Sequence, residues 1–164
     1  MLFMNNLLLE IRNIHIKIEH YLQQLAQRNS SAHCSVCTNI CCNEEICSES
    51  INSDFLKFIL NDKASEYNKS HGWFNHSSGC TLKFGRPLVC YEYFCSKFES
   101  DTESNTLQNI SKEFSDLYAK VYRNQHILEI DNISSIPDNK LIKLLSKLEM
   151  FYTTLNIKNK LCTT

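Results

Sequence analysis

Apolar residues near the start of the chain return every third or fourth position: Leu7, Leu8, Ile11, Ile14, Ile18, Tyr21, Leu22 and Leu25. That interval is the period of an amphipathic helix and predicts a helical N-terminal flank over 2–28. The helix is expected to stop near Arg28, Asn29 and Ser30, where small polar residues take over. Ser53 or Asp54 can cap a second helix running through Phe55, Leu56, Phe58, Ile59 and Leu60 towards Tyr67. Helical spacing returns in Leu107, Ile110, Phe114, Leu117, Tyr118 and Val121. After a break containing Pro137, it returns again in Leu141, Leu144, Leu145, Leu148, Tyr152 and Leu155. These two stripes predict a helical C-terminal flank over 104–160, and all the stripes read as core packing.

Residues 31–95 keep no such period. Positions 31–50 read as an irregular loop with at most a short helical turn, and 71–95 as a second loop region with one or two short extended pieces. Three glycines and two prolines are too few for the many turns of an all-β fold. The expected fold is therefore mainly α, with helices flanking an irregular cysteine-rich core over 31–95 and little or no β. A chain of 164 residues with 43% hydrophobic content fits one domain, 1–164.

Charge narrows the partners. Seventeen basic and eighteen acidic residues leave a formal charge of -1, which offers no attraction for phosphate backbones, so no nucleic-acid partner is expected. Met1 to Leu9 is apolar, but Glu10, Arg12, Lys17 and Glu19 interrupt the pattern at helical intervals. The start thus does not read as a secretory signal, and no run approaches the roughly 20 apolar residues of a membrane helix. No membrane partner and a cytoplasmic location are the expectations. The heptad-like spacing of the first and last helices permits a partner helix or dimerisation but is too short to demand it, and no protein partner is assigned.

In a reducing compartment cysteines stay thiols, so a dense set of them points to metal or redox chemistry. Eight of the nine cysteines fall between Cys34 and Cys95. The first group is Cys34, Cys37, Cys41 and Cys42, and a two-residue gap lets two thiolates reach one ion from a single turn of backbone. The second group is Cys80, Cys90 and Cys95. Soft thiolate donors select zinc or an iron–sulfur cluster over magnesium or calcium. Cys47 fits no pairing by spacing and reads equally as ligand or as a small buried apolar residue, while Cys162 reads as packing. Adjacent Cys41 and Cys42 leave the stoichiometry open.

The Cys-x2-Cys-x3-Cys-Cys run at Cys34, Cys37, Cys41 and Cys42, followed by Cys80-x5-Arg86-Pro87-x2-Cys90, resembles the CxxCxxxCC (YkgJ-type) cysteine-cluster family of zinc- or iron-chelating domains. That family also resembles a region of flagellin lysine-N-methylases. The likeness covers about residues 34–95. It implies a metal-chelating role for these cysteines, with Cys95 as an addition. Where the family carries a further cysteine about nine residues before the one aligned with Cys80, this chain has His71, and imidazole can ligate zinc and some iron–sulfur centres. Arg86 reads either as a group that offsets thiolate charge or as a surface arginine before a turn-setting proline.

Other chemistry finds little support. Gly72, Gly79 and Gly85 all sit inside the cysteine region, so no glycine-rich nucleotide loop supports a methyltransferase. The Cys34-x-x-Cys37 pair lacks the βαβ pattern of a thiol–disulfide oxidoreductase. No nucleophile, base and orienter stand out, and His15, His20, His33, His76 and His126 are not assigned as ligands. The reading is a metal-ion-binding protein, with zinc holding loops together or an iron–sulfur cluster doing redox work as the two forms it can take, and no catalytic residue is assigned.

Overall fold

The computed structural model describes residues 2–34, 44–75, 79–91, 102–119, 121, 123, 125–130 and 132–161. Most of them are helical: α1 (Leu2–Cys34), α2 (Glu44–Asn52), α3 (Asp54–Leu60), α4 (Thr102–Tyr118) and α5 (Asp138–Leu161). The β content among the described residues is one short antiparallel pair, β1 (Phe74–Asn75) and β2 (Gly79–Cys80), with Phe74 opposite Cys80. The mainly α expectation holds.

The long helices form where the apolar period is strongest. Helix α1 packs chiefly on α5 and α4, and their facing residues share one core. Ile11, Ile18 and Leu22 of α1 meet Leu107, Phe114 and Tyr118 of α4 and Leu141, Leu144 and Leu148 of α5 there. Burying a side chain of this size is worth about 1.5–3 kcal/mol, so these stripes account for the bundle. Helix α3 starts as its sequence suggests, with Ser53 Oγ accepting the Leu56 N–H at 3.3 Å. It buries Phe55, Leu56, Ile59 and Leu60 and passes into a 3-10 turn over Asn61–Glu66. Pro137 stands just before α5, where its missing N–H costs nothing.

Two boundaries depart from the sequence reading. Helix α1 runs on to Cys34 instead of ending near Ser30, because neither glycine nor proline interrupts residues 26–34 and each further helical residue adds a backbone bond. Residues 44–50, expected as loop with at most a short helical turn, belong to the nine-residue helix α2. Cys47 and Ser50 lie buried on the inner side of this helix and Ile51 packs beside them, so the thiol serves as one of its apolar anchors. The irregular core expected over 31–95 is thus helical along much of its described length.

Among the described residues, no helix is long and apolar enough to cross a membrane.

Candidate functional site

The described thiols gather around one small satellite of the core. Cys47, Leu60, Trp73 and Leu82 form it, and Cys80 packs against it half-buried. Three elements bring these residues together. Helix α2 carries Cys47, the β1–β2 pair carries Cys80, and a 3-10 turn over Leu88–Tyr91 carries Cys90. Trp73 fixes the first of these: its indole N–H donates to Ser50 Oγ at 2.6 Å, and that hydroxyl donates to the Cys47 carbonyl at 2.6 Å. Gly72 is closed against the same helix. It has φ +58, and a Cβ added there would lie 2.9 Å from Cys47 Cβ and 3.1 Å from its Sγ.

Cys90 is half-buried and lies within electrostatic reach of Cys80, Cys47, Arg86 and Glu49. Burial, reinforced by Cys80, pushes its thiol up to about 12, although the Arg86 guanidinium pulls the other way. Arg86 is not the surface arginine that a turn before Pro87 would allow. Its Nε and Nη2 both donate to the Leu82 carbonyl, at 3.0 and 2.7 Å, and its Cζ lies 5.9 Å from the centre of the Tyr91 ring. Burial opposes its charge, but the surrounding acidic groups, Cys80, Tyr91, Glu19 and Cys90, outweigh it and hold its pKa above the ordinary arginine value. A fixed cation thus stands beside two of the thiols.

The remaining sequence candidates divide in two. His71 is exposed, in the turn closed by the Gly72 N–H donating to the Asn68 carbonyl at 2.8 Å. Cys34 ends α1. Cys37, Cys41, Cys42 and Cys95 lie outside the described residues. Among the described residues, no group of three or more His, Cys, Asp or Glu side chains is arranged to hold a metal ion. Cys47, which spacing could not place, is the cysteine the fold adds to Cys80 and Cys90.

A second polar cluster escaped the sequence reading altogether. One line of α1, Arg12, His15, Glu19 and Gln23, points inward towards α3 and the 83–91 segment. Glu19 and His15 are fully buried. Glu19 Oε2 accepts the Gly85 N–H at 2.5 Å, while Oε1 accepts the Arg86 N–H at 3.0 Å and the Tyr91 hydroxyl at 2.9 Å. His15 Nε2 stands 3.1 Å from Glu19 Oε2, an ion-pair distance without hydrogen-bond alignment. On its other side His15 Nδ1 shares a hydrogen bond with the Tyr118 hydroxyl of α4.

Gln23 donates to the Lys83 carbonyl at 2.6 Å and to the Tyr91 hydroxyl at 3.2 Å, and Arg12 Nε donates to the Ile59 carbonyl at 3.0 Å. Burial alone would push the Glu19 carboxyl up; the charge of His15 and the two backbone N–H groups outweigh it and hold the carboxyl below its ordinary range. The same burial, joined by the Glu19 charge, raises the Tyr91 and Tyr118 hydroxyls well above the usual tyrosine value. The sequence did carry a signal, since His15 and Glu19 fall between Ile11, Ile18 and Leu22 on the inward side of the helix.

A half-open cleft of about 480 Å³ is lined by Glu49, Leu56, Leu88, Val89, His126 and Glu129 among others, and none of the described cysteines lines it. Its histidine is committed to structure: His126 Nδ1 accepts the Leu128 N–H at 3.2 Å and Nε2 faces the Ser115 carbonyl at 3.2 Å.

No family model, no curated protein and no solved structure significantly matches this chain.

Proposed function

We propose that this chain is a zinc- or iron-chelating cysteine-cluster protein that acts in the reducing cytoplasm. The observation that carries the reading is the gathering of Cys80, Cys90 and Cys47 from three separate elements beside the half-buried cation of Arg86. Soft donors fit zinc and iron–sulfur centres. A bound cation would convert the thiols to thiolates and draw the three elements together. A full ligand set would draw on Cys34, Cys37, Cys41, Cys42 and Cys95, with His71 as the imidazole alternative. The spacing likeness to the CxxCxxxCC family supports the same assignment.

Within such a centre this chain's residues have distinct work. Cys80 and Cys90 would supply donors, and Arg86 would offset summed thiolate charge from its fixed position on the Leu82 carbonyl. Cys47 would either join them or shield the site as packing. The bound metal would supply cross-linking of loops if it is zinc, and one-electron chemistry if it is an iron–sulfur cluster.

The test is substitution mapped onto metal content. Cys80→Ser and Cys90→Ser, purified without oxygen, are expected to lose at least half of the metal bound by the unaltered chain, while Cys162→Ser keeps all of it. Full metal retention in both Cys80→Ser and Cys90→Ser would overturn the assignment.

A further inference from the structure

We infer that Glu19 is the positioning residue of the thiol patch: it pins the segment carrying Arg86 and Cys90 onto α1. The inference rests on the metal-binding reading for one of its two readouts only.

Glu19 touches no thiol. It instead holds the backbone of Gly85 and Arg86 and the hydroxyl of Tyr91, three groups spread over seven residues of a segment that has no regular sheet or long helix of its own. Those contacts fix the two residues that matter to the patch. With its N–H held by Glu19, Arg86 turns its guanidinium back to the Leu82 carbonyl, beside Cys80 and Cys90. Tyr91 follows Cys90 directly, so anchoring its hydroxyl sets the turn that presents the thiol.

The interaction is also costly in a way that a purely structural contact need not be. An apolar side chain at this depth would avoid the desolvation that a buried carboxylate incurs. Leucine or isoleucine fills the neighbouring inward positions Ile11, Ile18 and Leu22. What a carboxylate adds is direction: two oxygens that accept three donors converging from the 85–91 segment, with His15 Nε2 standing 3.1 Å away and Gln23 gripping Lys83 and Tyr91 from the next turn. Gly85 completes the fit, because its φ of +74 and the Leu60 side chain, 2.7 Å from where a Cβ would stand, leave room there for glycine alone.

The experiment compares the full chain with Glu19→Gln and with Leu148→Ala, a core variant on α5 that lowers global stability and removes none of the hydrogen bonds that hold the segment. Two quantities are measured: hydrogen exchange of the amides in 79–91, and zinc affinity by competition with a chromophoric chelator. Glu19→Gln keeps the shape but places an amide N–H against donors. It is expected to speed exchange of the Gly85 and Arg86 amides at least tenfold and to weaken zinc binding about tenfold or more, as loss of outer-shell support does at metal sites. Leu148→Ala is expected to change neither selectively. Unchanged exchange over 79–91 in Glu19→Gln, or an equal effect in Leu148→Ala, overturns the positioning role. Faster exchange in a chain whose unaltered form binds no zinc upholds the positioning of the segment while refuting the zinc reading.

Discussion

The carboxylate of Glu19 accepts the hydroxyl of Tyr91 at 2.9 Å, across 72 residues of sequence and one residue away from Cys90. Together with the Glu19 bonds to the Gly85 and Arg86 N–H groups, it ties the N-terminal helix to the thiol-bearing segment and makes the interior of the molecule sensitive to charge as well as to packing.

Acid should loosen that tie. The Glu19 carboxyl is held below its ordinary value of 4.5, so its ionised form favours the folded state. The contribution is fully present above pH 4.5 and is lost as pH falls through that value and then through the lower folded one. In urea unfolding from about pH 7 to about pH 3, the stability gap between the unaltered chain and Glu19→Gln is expected to be constant at the neutral end and to shrink towards the acid end. The neutral gap should be about 3–5 kcal/mol, the usual consequence of breaking a buried pair from one side. A gap that does not change with pH would show that Glu19 is not ionised in the fold.

Phe114 tests the bundle. It is fully buried, stacks on Phe151 at a centroid distance of 6.0 Å and lies 5.0 Å from the His15 ring. Phe114→Ala should cost about 3–5 kcal/mol in chemical denaturation, combining lost transfer free energy with a cavity between α1, α4 and α5. A loss below about 1 kcal/mol would place Phe114 outside the core.

Gly72 tests the seat of Cys47. With φ +58 and Cys47 Cβ 2.9 Å from an added methyl, Gly72→Ala is strained by backbone and neighbour alike. A loss of about 1–3 kcal/mol is expected, together with faster alkylation of Cys47 as α2 is pushed aside. Unchanged stability and reactivity would separate the 72–73 turn from α2.

The helices were legible because their physics is local. Apolar residues three and four apart, the Ser53 cap and Pro137 before α5 set α1, α3, α4 and α5 with little help from the rest of the chain. Helix α2 was not legible, since Glu44–Asn52 holds few strongly apolar residues and is anchored by Cys47 and Ser50, residue types that pattern reading assigns to loops. Polar residues on a helix carry no such local signal of their partners: the inward bonds of Glu19 and Gln23 exist only once the 83–91 segment arrives from 60 or more residues away, and those of Arg12 and His15 only once Ile59 and Tyr118 are in place. For the candidate site, spacing singled out Cys80 and Cys90, whereas Cys47 could be joined to them only by tertiary contact.

The most direct test is metal and acid-labile sulfide analysis of the full chain purified without oxygen, read together with its visible absorption spectrum. The account predicts at least one zinc per chain without sulfide or colour, or iron with sulfide and broad brown absorbance, and in either case loss of that metal on replacing Cys80 and Cys90 together. A chain that carries no metal, and takes up none when offered zinc or reconstituted with iron and sulfide, would contradict it and leave the thiols as packing residues around Trp73.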